Sequence, residues 1–323
     1  MPARPGGSVA DIAQRLLAGD IAAGARAIRW LDDRDPRGAA LLAAIFGHSG
    51  RAQVVGITGP PGAGKSTLTD MLVTEWRARG RRVGVLAVDP SSPFTGGAIL
   101  GDRVRMGRHA TDPGVFIRSL GTRGQAGGLS RSTYDAALVL DAMGYNIVVV
   151  ETVGVGQDEI DVVNLAHTTV IVAVPGLGDE IQAVKAGIME AGDIFVVNKA
   201  DRDGYVATQR QMELMLHLRA QSLPDQPPVP LLRAVAARGE GAAEIVDAVE
   251  GHRIALEAAG DFTRRTSARA REQVLALVRD ALMERAIRIA DDHLMADVTT
   301  RRLDPYEAAR HILHRLSQGS LAA

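Results

Sequence analysis

The stretch Gln53–Thr67, QVVGITGPPGAGKST, decides the fold. It opens as a short run of mostly apolar, β-branched side chains, which suits a strand buried on both faces. Its remainder, Gly59 to Thr67, follows the pattern G-x4-G-K-[ST], and the helical segment LTDMLVTEWRARG comes next. Strand, glycine-rich turn and helix in that order make a phosphate-binding loop. Gly59, Gly62, Ala63 and Gly64 let consecutive backbone N–H groups converge on phosphate oxygens, and the helix N-terminus adds its positive end. In this frame Lys65 reaches the β- and γ-phosphates, the Ser66 hydroxyl ligates Mg²⁺ and Thr67 ends the binding segment.

The same strand texture recurs outward from this stretch. RVGVLAVD begins at Arg82, GVFIRS at Gly114, NIVVVET at Asn146, TVIVAV at Thr169, DIFVVN at Asp193 and VPLLRAV at Val229, with amphipathic stretches between them. Continuous apolar runs separated by helices predict an α/β fold, a mostly parallel P-loop NTPase sheet with helices on both faces. A helical prelude runs from Ser8, where Ser8 and Asp11 read as a capping box, to about His48. After Asp261 the strands stop. Leu275, Val278, Leu282, Ala286 and Ile289 make one helical stripe; Tyr306, Ala309, Leu313 and Leu316 make a second, behind Asp304 as N-cap and Pro305. Such stripes need a partner surface, either their own domain or a second copy. The expected division is a helical extension over 1–50, a nucleotide domain over 51–260 and a helical arm over 261–323.

Composition narrows the function. The 323 residues carry a formal net charge of -1, with no basic block for nucleic acid or an anionic membrane, and no cysteine for a disulfide, thiolate site or nucleophile. The N-terminus lacks an apolar signal core and no run approaches the ~18 apolar residues of a membrane span, so the cytoplasm is expected. Lysine occurs only at positions 65, 185 and 199; the rest of the 37 Lys and Arg residues are arginine.

The tetrapeptide NKAD, Asn198 to Asp201, follows a strand. Its aspartate can accept from guanine N1–H and the exocyclic N2 amine, whereas adenine offers no amine there, so the expected nucleotide is GTP or GDP. The Lys199 stem would lie along the base. Between the two motifs, Glu151 ends a strand and Gly154 follows it, where nucleotide hydrolases place a carboxylate for the metal's water shell and a γ-phosphate sensor. Asp89 at a strand end and Asp102 in the next polar segment are further Mg²⁺ candidates.

With these residues on the page, ETVGVGQ (Glu151–Gln157), GPPGAGKST, VDPSSPFTGGAILGDRVRM and NKAD, the chain resembles the SIMIBI-class GTPases over about residues 10 to 260. Within that class it is most similar to the MeaB/ArgK/MMAA-like chaperones of adenosylcobalamin-dependent methylmalonyl-CoA mutase, sometimes labelled LAO/ArgK transport proteins. The resemblance implies GTP hydrolysis and a homodimer joined through the C-terminal arm. It further implies docking on the mutase or its cobalamin adenosyltransferase, gating of cofactor loading, and protection or reactivation of the client. It also implies an additional switch loop, with Asp179, Gln182 and Lys185 at the matching positions. One position departs: where such GTPases carry a Ser-Ala pair whose backbone contacts guanine O6, this chain has Val235-Ala236, which implies weaker guanine affinity.

Three other readings compete. A nickel-insertion GTPase would need soft or imidazole ligands, and His311 and His314 read better as a solvated face. A kinase of the LAO/ArgK label would not need NKAD. A regulatory switch with little hydrolysis remains open because no glutamine directly follows Gly154; Gln157 comes late.

In a chain that writes solvated cations as arginine, Lys185 calls for a role. The segment PGLGDEIQAVKAGI follows a strand on the expected carboxyl edge, which puts Lys185 near the nucleotide; the resemblance further implies that a client orders this loop and brings Lys185 to the γ-phosphate. Lys185→Ala is expected to leave GTP affinity and basal turnover nearly unchanged and to remove most mutase-stimulated hydrolysis. Full stimulation of the variant in a single-turnover assay would make Lys185 a bystander.

Overall fold

The structure, a computed structural model, describes residues 7–89, 107–121, 131–152, 158–176, 190–224 and 226–318. Three helices lead: α1 (Val9–Leu17), α2 (Ile21–Asp32) and α3 (Pro36–Ile45). Ser8, Asp20 and Asp35 cap them, each accepting from backbone N–H groups of the first turn. The expected strands follow as β1 (Gln53–Thr58), β2 (Val83–Asp89), β3 (Val115–Gly121), β4 (Ile147–Thr152), β5 (Thr168–Ala173), β6 (Ile194–Val197) and β7 (Leu231–Arg233). Between them run α4 (Lys65–Ala78), α5 (Arg131–Ala142), α6 (Asp158–Leu165) and α7 (Tyr205–Ser222), and α8 (Ala242–Ala258) closes the series.

All seven strands are parallel, in the order β3-β2-β4-β1-β5-β6-β7. Alternation along each strand feeds two cores. Val148 and Val150 meet Ile28, Leu31 and Leu140 on one face, while Ile147 and Val149 meet Leu68, Trp76 and Val249 on the other. The helical prelude therefore shares a core with the sheet. Its entry into β1 is fixed by Asp141 at the end of α5, whose buried carboxylate accepts from Gly50, Arg51 and Ala52 N–H at 2.6 to 3.2 Å. Because β1 lies between β4 and β5, the loops leaving their carboxyl ends emerge side by side, where open parallel sheets bind ligands.

The chain divides into two compact units at Thr266/Ser267, and α9 (Asp261–Ile289) crosses that division. The second unit adds α10 (Asp292–Thr299) and α11 (Pro305–Gln318), the latter capped by Asp304, which accepts from Tyr306 and Glu307 N–H. Leu275, Val278 and Leu282 are each about half exposed; of the second stripe, Tyr306 is 84% and Leu313 64% exposed, and α11 buries Ala308 instead. Among the described residues no helix is long and apolar enough to cross a membrane.

Candidate functional site

The phosphate loop hangs between the end of β1 and the start of α4. Gly59, Gly62 and Gly64 take φ values of 144°, 76° and 81°. At Gly59 a Cβ would stand 2.2 Å from Val172 O of β5, and at Gly64 2.7 Å from Asn198 Nδ2, so neither position admits a side chain. Lys65 is buried and folded back on the loop, its Nζ donating to Gly59 O at 2.7 Å and Pro60 O at 3.1 Å. Ser66 donates from Oγ to Glu151 Oε1 at 2.5 Å. That contact joins a helix N-terminus to the end of β4, with Glu151 beside Ile57 in the ladder and buried there. Two hard oxygen donors at this point suit Mg²⁺ rather than a soft metal.

The base side of the site is organised by Asn198. Its Nδ2 donates to Ala63 O of the phosphate loop at 2.9 Å, and its Oδ1 accepts from Ala236 N–H, after β7, at 3.1 Å. The Ala236 N–H expected at guanine O6 thus holds the scaffold here. Lys199 adopts φ 55° and its Nζ donates to Gly62 O at 2.6 Å, laying its stem along the floor between the two loops. The Asp201 carboxylate stands exposed at the rim. Val235 is buried and its backbone pairs with Glu240, with Val235 N–H donating to Glu240 O at 3.1 Å. One participant was not evident from the sequence: Arg238, whose guanidinium lies 3.6 Å from Asp201 and pairs with the Glu240 carboxylate at 2.9 Å.

Gly154, Gln157, Asp102, Asp179, Gln182 and Lys185 lie outside the described residues. Asp89 ends β2, with its backbone opposite Gly121.

The model of one family, "Methylmalonyl Co-A mutase-associated GTPase MeaB", matches residues 24–291. The chain belongs to the MeaB family. A relative from Pyrococcus abyssi is 45% identical over 319 residues, covering 97% of this chain and 98% of that one. The GTPase ArgK of Escherichia coli is 38% identical over 260 residues, 78% of each chain. Among solved structures, a LAO/AO transport system kinase matches with a TM-score of 0.68 and 25% identity, covering 96% of this chain and 98% of that one. This MeaB-family chain binds guanine nucleotide and is a GTP hydrolase.

In this MeaB-family site, Asn198 carries two loops at once. Asn198→Ala is expected to weaken GDP binding by about tenfold or more and to lower the urea midpoint. The reason is that two buried backbone groups lose their partner at about 1–3 kcal/mol each. Asn198→Asp, which keeps the acceptor and loses the donor, should fall between. Unchanged binding of a fluorescent GDP analogue would leave the amide without a part in the site.

Proposed function

We propose that this GTPase is a chaperone of an adenosylcobalamin-dependent acyl-CoA mutase, methylmalonyl-CoA mutase first, gating cofactor loading and protecting or reactivating the enzyme. The family's description as mutase-associated supports the client. The observation that carries the nucleotide chemistry is the Ser66–Glu151 contact beneath a phosphate loop that Asn198 ties to the base site. In this reading Lys65 exchanges the carbonyls of Gly59 and Pro60 for phosphate oxygens, since an ammonium already desolvated gains most from an anion. Ser66 and Glu151 are the residues that would hold Mg²⁺ and its water, and the ion when bound offsets charge on the phosphates. Asp201 reads the guanine edge, with Lys199 alongside. Glu151 and Lys65 supply electrostatics, while the segment after Gly154 has no glutamine in the usual place, so turnover without a client is slow.

The half-exposed Leu275, Val278 and Leu282 support a homodimer formed through the helical arm, because a symmetric contact removes that apolar surface from water.

Two outcomes are expected. GTP should exceed ATP in kcat/KM by about two orders of magnitude or more, with Lys65→Ala abolishing turnover and purified methylmalonyl-CoA mutase accelerating it; equal use of ATP and GTP would sink the guanine reading. Replacing Leu275, Val278 and Leu282 by Asp should convert a dimer to a monomer in light scattering, and an unchanged mass would remove the arm from the interface.

A further inference from the structure

We propose that Arg238 is a positioning residue for guanine recognition, acting through Asp201 and held in place by Glu240. The proposal rests on the reading of Asp201 as the guanine-edge acceptor and adds the group that orients it.

A carboxylate that accepts from N1–H and the N2 amine must present both oxygens in the plane of the base. Asp201 is 40% exposed at its side chain, so its rotamer is not set by packing. Among the described residues, Arg238 is the charged group facing it, at 3.6 Å from Oδ2. That separation is an ion-pair distance, longer than a hydrogen bond, so both oxygens keep lone pairs for the base while the cation biases where they lie. Val235 is buried and apolar, and its backbone N–H is taken by Glu240 O.

Arg238 is itself fixed. It ends a short 3-10 turn, Ala236–Arg238, whose Arg238 N–H donates to Val235 O at 2.8 Å. The turn is clamped by the Val235–Glu240 bridge and by Gly241, where a Cβ would stand 2.2 Å from Arg233 O. Ala234 O accepts from Ala200 N–H at 3.1 Å, tying the turn's base to the NKAD segment. Arg238 Nε forms an ion pair with Glu240 Oε1 at 2.9 Å, while Nη2 at the far end of the guanidinium is the atom nearest Asp201. The order of support is Glu240, Arg238, Asp201.

The test is equilibrium binding of GDP, IDP and ADP to the full chain, comparing wild type with Arg238→Ala, Arg238→Lys and Asp201→Asn. IDP lacks the N2 amine and so asks less of the carboxylate's orientation. Because the pair is exposed, Arg238→Ala is expected to weaken GDP about threefold. IDP should weaken less and ADP not at all, the gap to wild type should close at high salt, and Arg238→Lys should recover most of the loss. Tighter or unchanged GDP binding in Arg238→Ala, an equal loss across the three nucleotides, or no recovery by lysine would each overturn the proposal. Asp201→Asn separates the two levels. If it keeps the preference for GDP over ADP, the guanine reading has failed; if it loses that preference while Arg238→Ala is silent, the positioning role alone has failed.

Discussion

The site depends on one amide. Asn198 lies at the end of β6, and its side chain spends both its donor and its acceptor on backbone groups of two other loops, Ala63 O and Ala236 N–H. Each such bond contributes only about 1 kcal/mol net, yet leaving a buried partner unmade costs more, so the three loops hold or slip together. Gly64 belongs to the same constraint: its missing side chain is what lets Asn198 come close enough to the phosphate loop. The phosphate loop, the NKAD segment and the turn after β7 therefore share one frame.

The sheet supplies the second coupling. Gly59 lets β1 end flush against Val172 of β5, and Glu151 arrives beside it because β4 is β1's other neighbour. A hydroxyl at the first turn of α4 and a carboxylate at the end of β4 then meet at 2.5 Å, although 85 residues separate them in sequence. The cation belonging to this centre, Lys65, is buried, and its ammonium donates to two backbone carbonyls of the loop.

The preference for arginine elsewhere has a geometric basis. Arg77 grips Asp112 with two parallel bonds of 2.8 and 2.9 Å, and Arg79 joins Glu75 on its own helix to Asp247 and Glu250 on α8. Asp247 and Glu75 hold the Arg79 guanidinium above its ordinary pKa, the Asp247 hydrogen bond first. A planar fork can serve several carboxylates across an interhelical seam, which a lysine's point charge cannot do with the same directionality. Lys199 shows the opposite need: a slim flexible stem that lies along a surface and ends on a single carbonyl, Gly62 O.

The sequence by itself determined the layers and the chemistry. Seven apolar runs became seven parallel strands, the central ones buried on both faces and the edge strands β3 and β7 partly exposed, and G-x4-G-K-[ST] became a phosphate loop because its glycines answer local backbone demands. Ser66, Glu151 and Asn198 were legible as candidates because strand-end and helix-start positions follow from the pattern. Their mutual contacts were not, nor was Arg238, which resembles any solvated arginine until a clamped turn brings it to Asp201. Strand order, which puts β4 and β5 on either side of β1, depends on contacts between residues far apart in the chain, and no local periodicity encodes them. The tertiary structure alone decided which candidates touch, and it also showed that the arm's stripes remain on the surface of their own small unit.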